Sequence, residues 1–363
     1  MLISNCCNLI TNKIDVSQLT TSNYISTENL LPNFGGITIA TNLPKDKVTK
    51  FEKENILMSN IRPYFKKFYY SSISGGCSSD VLVLNVNKSI AIPKYIYYLL
   101  CSDKFVNMYV ANCKGTKMPR GNKEVLLNYQ FELPSYEVQQ HIVDTIGSID
   151  DLIENNNTII IKLENIILNL YRKKSIEWKK QVKIGDLFKC ILGGTPSTKK
   201  NEYWDGDIAW VNSGEVNKLR IVSPSRYITK DGLENSATKL LPKKTTVIAI
   251  TGATLGQVSL LEIDSCTNQS VIGILENNTL KHDFIYPMMI NAIKKLVLNK
   301  TGGAQQHINK NDVETFEIFV PSEIEYFEYS QIVQPIFEYQ SKLILQNKEL
   351  LLLKNKYLQK FFG

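Results

Sequence analysis

The side chains best placed to do chemistry are cations and amides in loops of small residues. Asn60-Ile-Arg-Pro-Tyr-Phe-Lys-Lys67 sets three cations beside aromatic and amide groups. Arg62 could grip a guanine edge or a phosphate, and Lys66 and Lys67 could neutralise phosphates. Asn60 joins them as a candidate contact. Gly115-Thr-Lys-Met-Pro-Arg-Gly-Asn-Lys123 is a second loop whose small residues let backbone approach a phosphate closely. Its candidates are Thr116, Lys117, Arg120 and Lys123. Further along, Thr251-Gly-Ala-Thr-Leu-Gly-Gln257, Asn268-Gln269 and Gly302-Gly-Ala-Gln-Gln306 are less basic and richer in amides. Thr251, Thr254, Gln257, Asn268, Gln269, Gln305 and Gln306 suit hydrogen bonding to adenine edges. Gly193-Gly-Thr-Pro196, with Thr195, could cradle a phosphate through backbone N–H groups, although such a run more often makes a tight turn. Any of these loops could equally be polar caps on strands. Trp204, Asp207 and Trp210 read as packing residues.

Catalytic motifs are absent. There is no P-loop, no Gly-x-Gly-x-x-Gly after a strand, no Gly-x-Ser-x-Gly and no His-Glu-x-x-His. The Asn-Pro-Pro-aromatic signature of amino-methyltransferases is missing. Acidic residues are scattered, with no convincing pair for metal-dependent hydrolysis. The chain is therefore expected to be no enzyme and to bind no metal. The seven cysteines form no Cys-x-x-Cys pair, so zinc spacing and a disulfide framework are both unsupported. Free thiols fit a reducing cytoplasm. No apolar run is long enough for a transmembrane helix, and Met1–Lys13 does not read as a secretion signal.

The elements that must position these loops are written twice. The chain has 363 residues, 43% of them hydrophobic and 21% charged, enough for about two globular units at roughly 150 residues each. At an offset near 190, Cys77-Ser-Ser-Asp-Val-Leu-Val-Leu84 recurs as Cys266-Thr-Asn-Gln-Ser-Val-Ile272. Leu133-Pro134-Ser135 recurs as Val320-Pro321-Ser322, each opening a long segment. The units are 1–135 and 178–321, and the long segments are 136–177 and 322–363. The units read as β-rich with some helix. Val81–Val86 and Val247–Ile250 are strand candidates, and Pro93–Leu100 and Phe284–Leu296 are matched helices.

Both long segments carry heptad-like apolar spacing. In the second, Ile332, Ile336, Tyr339, Leu343, Gln346, Leu350, Leu353 and Tyr357 step by four and three. In the first, Ile142, Ile146, Ile149, Ile153, Ile160, Leu163, Ile167 and Leu170 keep the same register, with one position between Ile153 and Ile160 passed over. The helix–helix contacts expected from this are Ile142, Ile149, Leu163, Leu170, Ile336, Leu343, Leu350 and Tyr357. Ser322-Glu-Ile-Glu325 is a capping box. Asn155–Asn157 should weaken the first helix, and Pro335 should kink the second. Charge follows the same division. Residues 1–135 carry +6 and 178–321 carry +4, whereas the first long segment carries −3 and the last is neutral. Basic heads on an acidic or neutral spacer suit a polyanion.

Taken together, these residues resemble the specificity subunit of Type I restriction–modification systems. The second half carries Leu192-Gly-Gly-Thr-Pro-Ser197, Trp204-x-Gly-Asp-Ile-x-Trp210, Ile250-Thr-Gly-Ala-Thr-Leu-Gly256, Thr267-Asn-Gln-Ser270, Gly302-Gly-Ala-Gln-Gln306 and Val320-Pro321 in the family's order. The first half resembles another version of that domain, through Ser59–Lys67, Gly76-Cys-Ser-Ser-Asp80 and Gly115–Gly121. The Lys183-Ile-Gly-Asp186 opening of the second domain has no clear counterpart near residue 1. The resemblance implies an α+β fold: two target recognition domains, separated by two long helices that pair as an antiparallel coiled coil, in a pseudo-two-fold repeat. Each domain would read half of an interrupted double-stranded DNA site, and the helices would set the gap. They would also dock two methyltransferase subunits, through which restriction–translocase subunits join. This chain would bind no cofactor. S-adenosylmethionine would sit in the methyltransferase, and ATP and Mg in the restriction subunit. The competing readings are a coiled-coil adaptor, a DNA-binding module of another methylation or defence system, and a fused enzyme.

Overall fold

Strands form where β-branched and aromatic residues cluster, and both heads begin from such runs. The computed structural model describes residues 1–298 and 307–363. Contacts divide it into two units, Met1–Leu152 with Leu350–Gly363, and Ile153–Glu349.

In the first unit, Val81–Val86 is the longest strand and runs antiparallel to both Cys7–Leu9 and Ile56–Ser59. Phe68–Tyr70 completes this four-stranded sheet. A second sheet has the order Lys13–Ile14, Val48–Phe51, Gly75–Cys77, Tyr24–Ile25. Leu57, Val81 and Val83 from the first sheet join Ile25, Phe51 and Cys77 from the second in one buried cluster. The other face of the first sheet is covered by the helices Pro93–Cys101 and Asp103–Ala111.

In the second unit a five-stranded sheet has the order Cys190–Leu192, Val271–Ile274, Thr246–Ala249, Val258–Leu261, Arg220–Ile221. The helix His282–Leu298 packs on it. Arg226–Ile228, Trp204–Val211 and Cys266–Thr267 make a smaller sheet. The opening of the two units is alike. Ile184–Leu187 is a short helix leading to Cys190–Leu192, and Ile3–Cys6 leads in the same way to Cys7–Leu9. The counterpart near residue 1 therefore exists. Only the preceding pair, Lys180–Lys183 with Glu317–Val320, is reduced there, to a single bridge between Leu2 and Gln130.

The long helices are Tyr136–Ser175 and Glu323–Phe362, each of 40 residues. Within each unit they pair antiparallel, and both complete its core. Ile142, Val143 and Ile146 join Leu358 and Phe362 in the first. Ile167 and Tyr171 join Tyr326, Tyr329, Val333 and Phe337 in the second. The capping box forms: the Ser322 N–H donates to Glu325 and the Glu325 N–H to the Ser322 hydroxyl.

Two expectations about the helices are corrected. The heptad reading put Ile332, Tyr339 and Leu353 on the buried seam, but they are 53%, 48% and 41% exposed. The buried line is Tyr326, Tyr329, Val333, Phe337, Gln340, Leu343, Asn347, Lys354 and Leu358. It is shifted because the start of this helix packs on the head, and because three of its members are polar. Of the expected contacts, Ile142, Ile149 and Leu343 are buried, while Leu163, Leu170, Ile336, Leu350 and Tyr357 are half-buried. Second, the asparagines do not interrupt the first helix. Asn156 is buried, and its amide donates to Asn347 at 2.8 Å and to Gln346 at 3.1 Å. The Asn347 amide donates to Asn157 at 2.9 Å. Tertiary hydrogen bonds thus outweigh a low helix propensity. The second helix runs as one element through Pro335.

Two further polar pairs tie heads to helices. In the first unit, the Tyr98 hydroxyl and the Lys354 ammonium both donate to Asp150, at 2.8 and 2.6 Å. Burial, then the Asp150 charge, pushes the Tyr98 phenol far above its ordinary pKa. In the second, Glu164 accepts from Tyr286 at 2.9 Å and from Gln340 at 3.1 Å.

Asn347→Ala leaves the buried Asn156 amide short of a partner. It should lower stability by about 1–3 kcal/mol, read as a reduced urea midpoint. Asn156→Leu with Asn347→Leu removes both partners together, and should recover much of that loss.

Candidate nucleic-acid interface

In the first unit the two basic loops are stitched into one surface. The Arg62 N–H donates to the Pro119 carbonyl at 2.8 Å, and the Gly121 N–H to the Asn60 carbonyl at 2.9 Å. Ile61 and Lys114 each form a bridge to Arg120. The tip of the 114–120 loop turns at Gly115, whose φ of +90° suits glycine.

The expected contacts fall into three groups on this surface. Arg62, Thr116, Lys117 and Lys123 are exposed, and among the described residues their side chains have no hydrogen-bond or ion-pair partner. Lys114, which the motif reading passed over, stands with them. Arg120 and Lys66 are exposed or half-exposed but held by carboxylates, Arg120 by Asp80 at 2.7 Å and Lys66 by Asp103 at 3.1 Å. These pairs orient the cations and lower their free charge. Lys67 and Asn60 point inward. The Lys67 ammonium donates to the Thr27 carbonyl at 2.7 Å, and burial draws its pKa below the ordinary lysine range. Asn60 is buried, and its side-chain oxygen accepts from Tyr109 at 3.5 Å. Both support the loop from within.

In the second unit the amide-rich motifs converge on the 267–270 segment. The Thr195 hydroxyl donates to the exposed Gln269 side chain. The Ile250 N–H donates to the Ser270 carbonyl at 2.9 Å, which brings the Thr251–Gln257 loop alongside. Gln257 is exposed, and Thr251 and Thr254 are half-exposed. The Asn268 side chain accepts the Ser270 N–H at 3.1 Å, so it shapes the turn. Gln305 and Gln306 lie outside the described residues.

The Gly193-Gly194 pair is neither a phosphate cradle nor a tight turn. Its N–H groups donate to the Val271 and Thr267 carbonyls at 3.0 and 2.8 Å. A Cβ at Gly193 would sit 2.2 Å from the Asn268 carbonyl oxygen, so the glycines serve close backbone approach. Trp204 and Trp210 are buried edge-to-face at 5.3 Å, and the Trp210 indole donates to the Gly194 carbonyl at 3.1 Å.

Sequence reading missed two arginines. Arg226 stands 4.0 Å over the Trp204 ring, beside the exposed Tyr227, and adds a cation to this unit's surface. Its signal was only an Arg-Tyr-Ile alternation. Arg220 is fully buried between Tyr286 and Phe337, at 4.7 and 4.8 Å from their centroids. It is 3.7 Å from Glu262 and donates to Gln340, so it is structural. Among the described residues no cluster of His, Cys, Asp or Glu could hold a metal, and no helix is long and apolar enough to cross a membrane. All seven cysteines are free.

A family model described as the Type I restriction modification DNA specificity domain matches the chain twice, over residues 3–165 and 175–355. The chain belongs to that family. The two matches fall on the two halves of the repeat. A Type I restriction enzyme specificity subunit of Escherichia coli is 27% identical over 158 residues, 42% of this chain and 38% of that protein. The HindI specificity subunit of Haemophilus influenzae is 21% identical over 418 aligned positions, 90% of both chains. The fold is similar to a crystal structure of the Type I S subunit from M. genitalium. Its TM-score is 0.61 at 14% identity, over 100% of this chain and 95% of that one. As a specificity subunit the chain supplies DNA recognition and is not itself an enzyme.

For this family member, Arg62→Ala or Lys117→Ala should each reduce the slope of log affinity against log salt by about 1, measured on duplex DNA at several ionic strengths. Lys67→Ala should leave that slope unchanged and lower the melting temperature instead.

Proposed function

We propose that this chain reads a bipartite double-stranded DNA target, one half-site per head, and carries the catalytic subunits of a Type I restriction–modification assembly. The observation that supports this best is the repeated loop surface. In each unit, loops at the ends of the central strands gather exposed cations or amides, and both units carry the family domain. The first surface, with Arg62, Lys114, Lys117 and Lys123 free, suits phosphates and guanine edges; the second, with Thr195, Gln257 and Gln269, suits adenine edges. The helices are the proposed spacer between half-sites. Their exposed apolar residues, Ile161, Ile166, Leu345, Leu351 and Leu352 among them, are the proposed seat of two methyltransferase subunits. Those would supply S-adenosylmethionine and methylate, and restriction–translocase subunits using ATP and Mg would join through them, all in the cytoplasm.

The test is a methylome. The chain is expressed with its neighbouring methyltransferase in a methylation-free host, and modified bases are mapped. An interrupted, asymmetric motif dependent on this chain is the expected result. No new motif, with the methyltransferase present and bound, would move the reading to a coiled-coil adaptor. Methylation by the purified chain alone would point to a fused enzyme. Inserting seven residues at matched points in both long helices should lengthen the unspecified gap and leave both half-sites as they were. An unchanged gap would end the spacer proposal.

A further inference from the structure

The first head presents two large aromatic rings to solvent where the second presents almost nothing. Between Ile56–Ser59 and Phe68–Tyr70, the short 3-10 helix Pro63–Phe65 forms the tip of a hairpin. Tyr64 is 47% exposed and Phe65 40%, with ring centroids 4.7 Å apart. The matching hairpin of the second head, between Thr246–Ala249 and Val258–Leu261, has its 3-10 helix at Gly252–Thr254. The same place in the fold therefore holds Pro-Tyr-Phe in one head and Gly-Ala-Thr in the other.

The aromatic tip is rigidly held. Pro63 is buried beneath it. Arg62 and Lys66 flank it at φ +49° and +53°, in the left-handed region that side chains adopt only under constraint. The constraint is visible. The Phe65 carbonyl accepts from Asn33 and the Lys66 carbonyl from Phe34, both at 2.9 Å, and the Arg62 N–H donates to Pro119. Asn33 and Phe34 are left-handed too, at φ +55° and +58°. The strain is spent on holding two apolar rings outward. Around them stand Arg62 and Lys66, and Met118, 50% exposed, lies on the loop stitched to this hairpin. Large rings held out among cations match a surface that touches phosphates and stacks on or between bases.

We propose that Tyr64 and Phe65 form a wedge that unstacks one base step in the half-site read by the first head. The second head reads its half-site without such a step. This rests on the DNA-reading role proposed above and adds a specificity mechanism, since a wedge favours sequences that unstack easily.

The test uses the full chain without any methyltransferase, so that no base-extruding enzyme contributes. Duplexes carrying the mapped motif hold 2-aminopurine at each position in turn. Binding is followed by anisotropy and unstacking by fluorescence. A rise of about twofold or more is expected at one step of one half-site. Tyr64→Ala with Phe65→Ala should abolish it and weaken binding roughly tenfold, with an unchanged melting temperature. Tyr64→Phe with Phe65→Tyr keeps both ring planes and should keep the rise. Binding with no rise at any position would overturn the wedge and leave DNA reading intact, as would a rise that survives the alanine pair. If the double-alanine chain still unstacks its site, a separate pull-down in which it fails to retain the methyltransferase would assign the rings to a protein contact. A chain that binds no duplex would remove both proposals.

Discussion

Each head's hydrophobic core is finished by residues from both long helices, and this constraint governs the rest of the structure. Ile142 and Ile146 of one helix and Leu358 and Phe362 of the other are buried in the first core. Ile167 and Tyr171, with Tyr329, Val333 and Phe337, are buried in the second. Neither head can bury its apolar face with its own sheets alone. The helices must therefore meet antiparallel and in one register. Apolar side chains specify register weakly, because one leucine packs much like another. Buried amides specify it strongly, since a slip leaves them unpaired in a medium that offers no water. Asn156 and Asn347, both buried, supply that specification in the second unit, bonded to each other and to the exposed Asn157 and Gln346.

The candidate loop surfaces follow from how the strands end. Loops at the ends of the central strands are joined to neighbouring loops by backbone hydrogen bonds, so their side chains are presented by a stiff base. Inward-facing polar residues such as Asn60 and Lys67 hold the base together. Outward-facing ones are left unpaired or lightly paired. The Asp80 carboxylate beside Arg120 fixes the guanidinium plane.

The repeat, both long helices and the head strands were legible in the sequence because each rests on local periodicity or on recurrence. Val81–Val86 and the capping box at Ser322 appear where the pattern put them. The buried line of the second helix was not legible. Its polar members Gln340, Asn347 and Lys354 are invisible to a search for apolar steps, and its first turns answer to the head as well as to the partner helix. The asparagine run was misread for a related reason: propensity describes an isolated helix, and the partner amides lie about 190 positions away in sequence. Within the candidate site, residue type found the right loops but not the direction of each side chain. Asn60 and Arg62 are two apart in one motif, yet one is buried and the other exposed.

The polar pairs that tie heads to helices bear on how such genes can be recombined. Asp150 belongs to the first half of the chain, but the lysine that neutralises it, Lys354, comes from the last helix. Glu164 comes from the first helix, but the tyrosine and glutamine it serves, Tyr286 and Gln340, come from the second half. Exchange of a head alone, with both helices retained, keeps the carboxylates beside their helix partners. Exchange of a whole half, helix included, carries a half-buried acid into a protein whose other helix need not offer a cation. Crossovers at the head–helix junctions are thus physically cheaper than crossovers between halves.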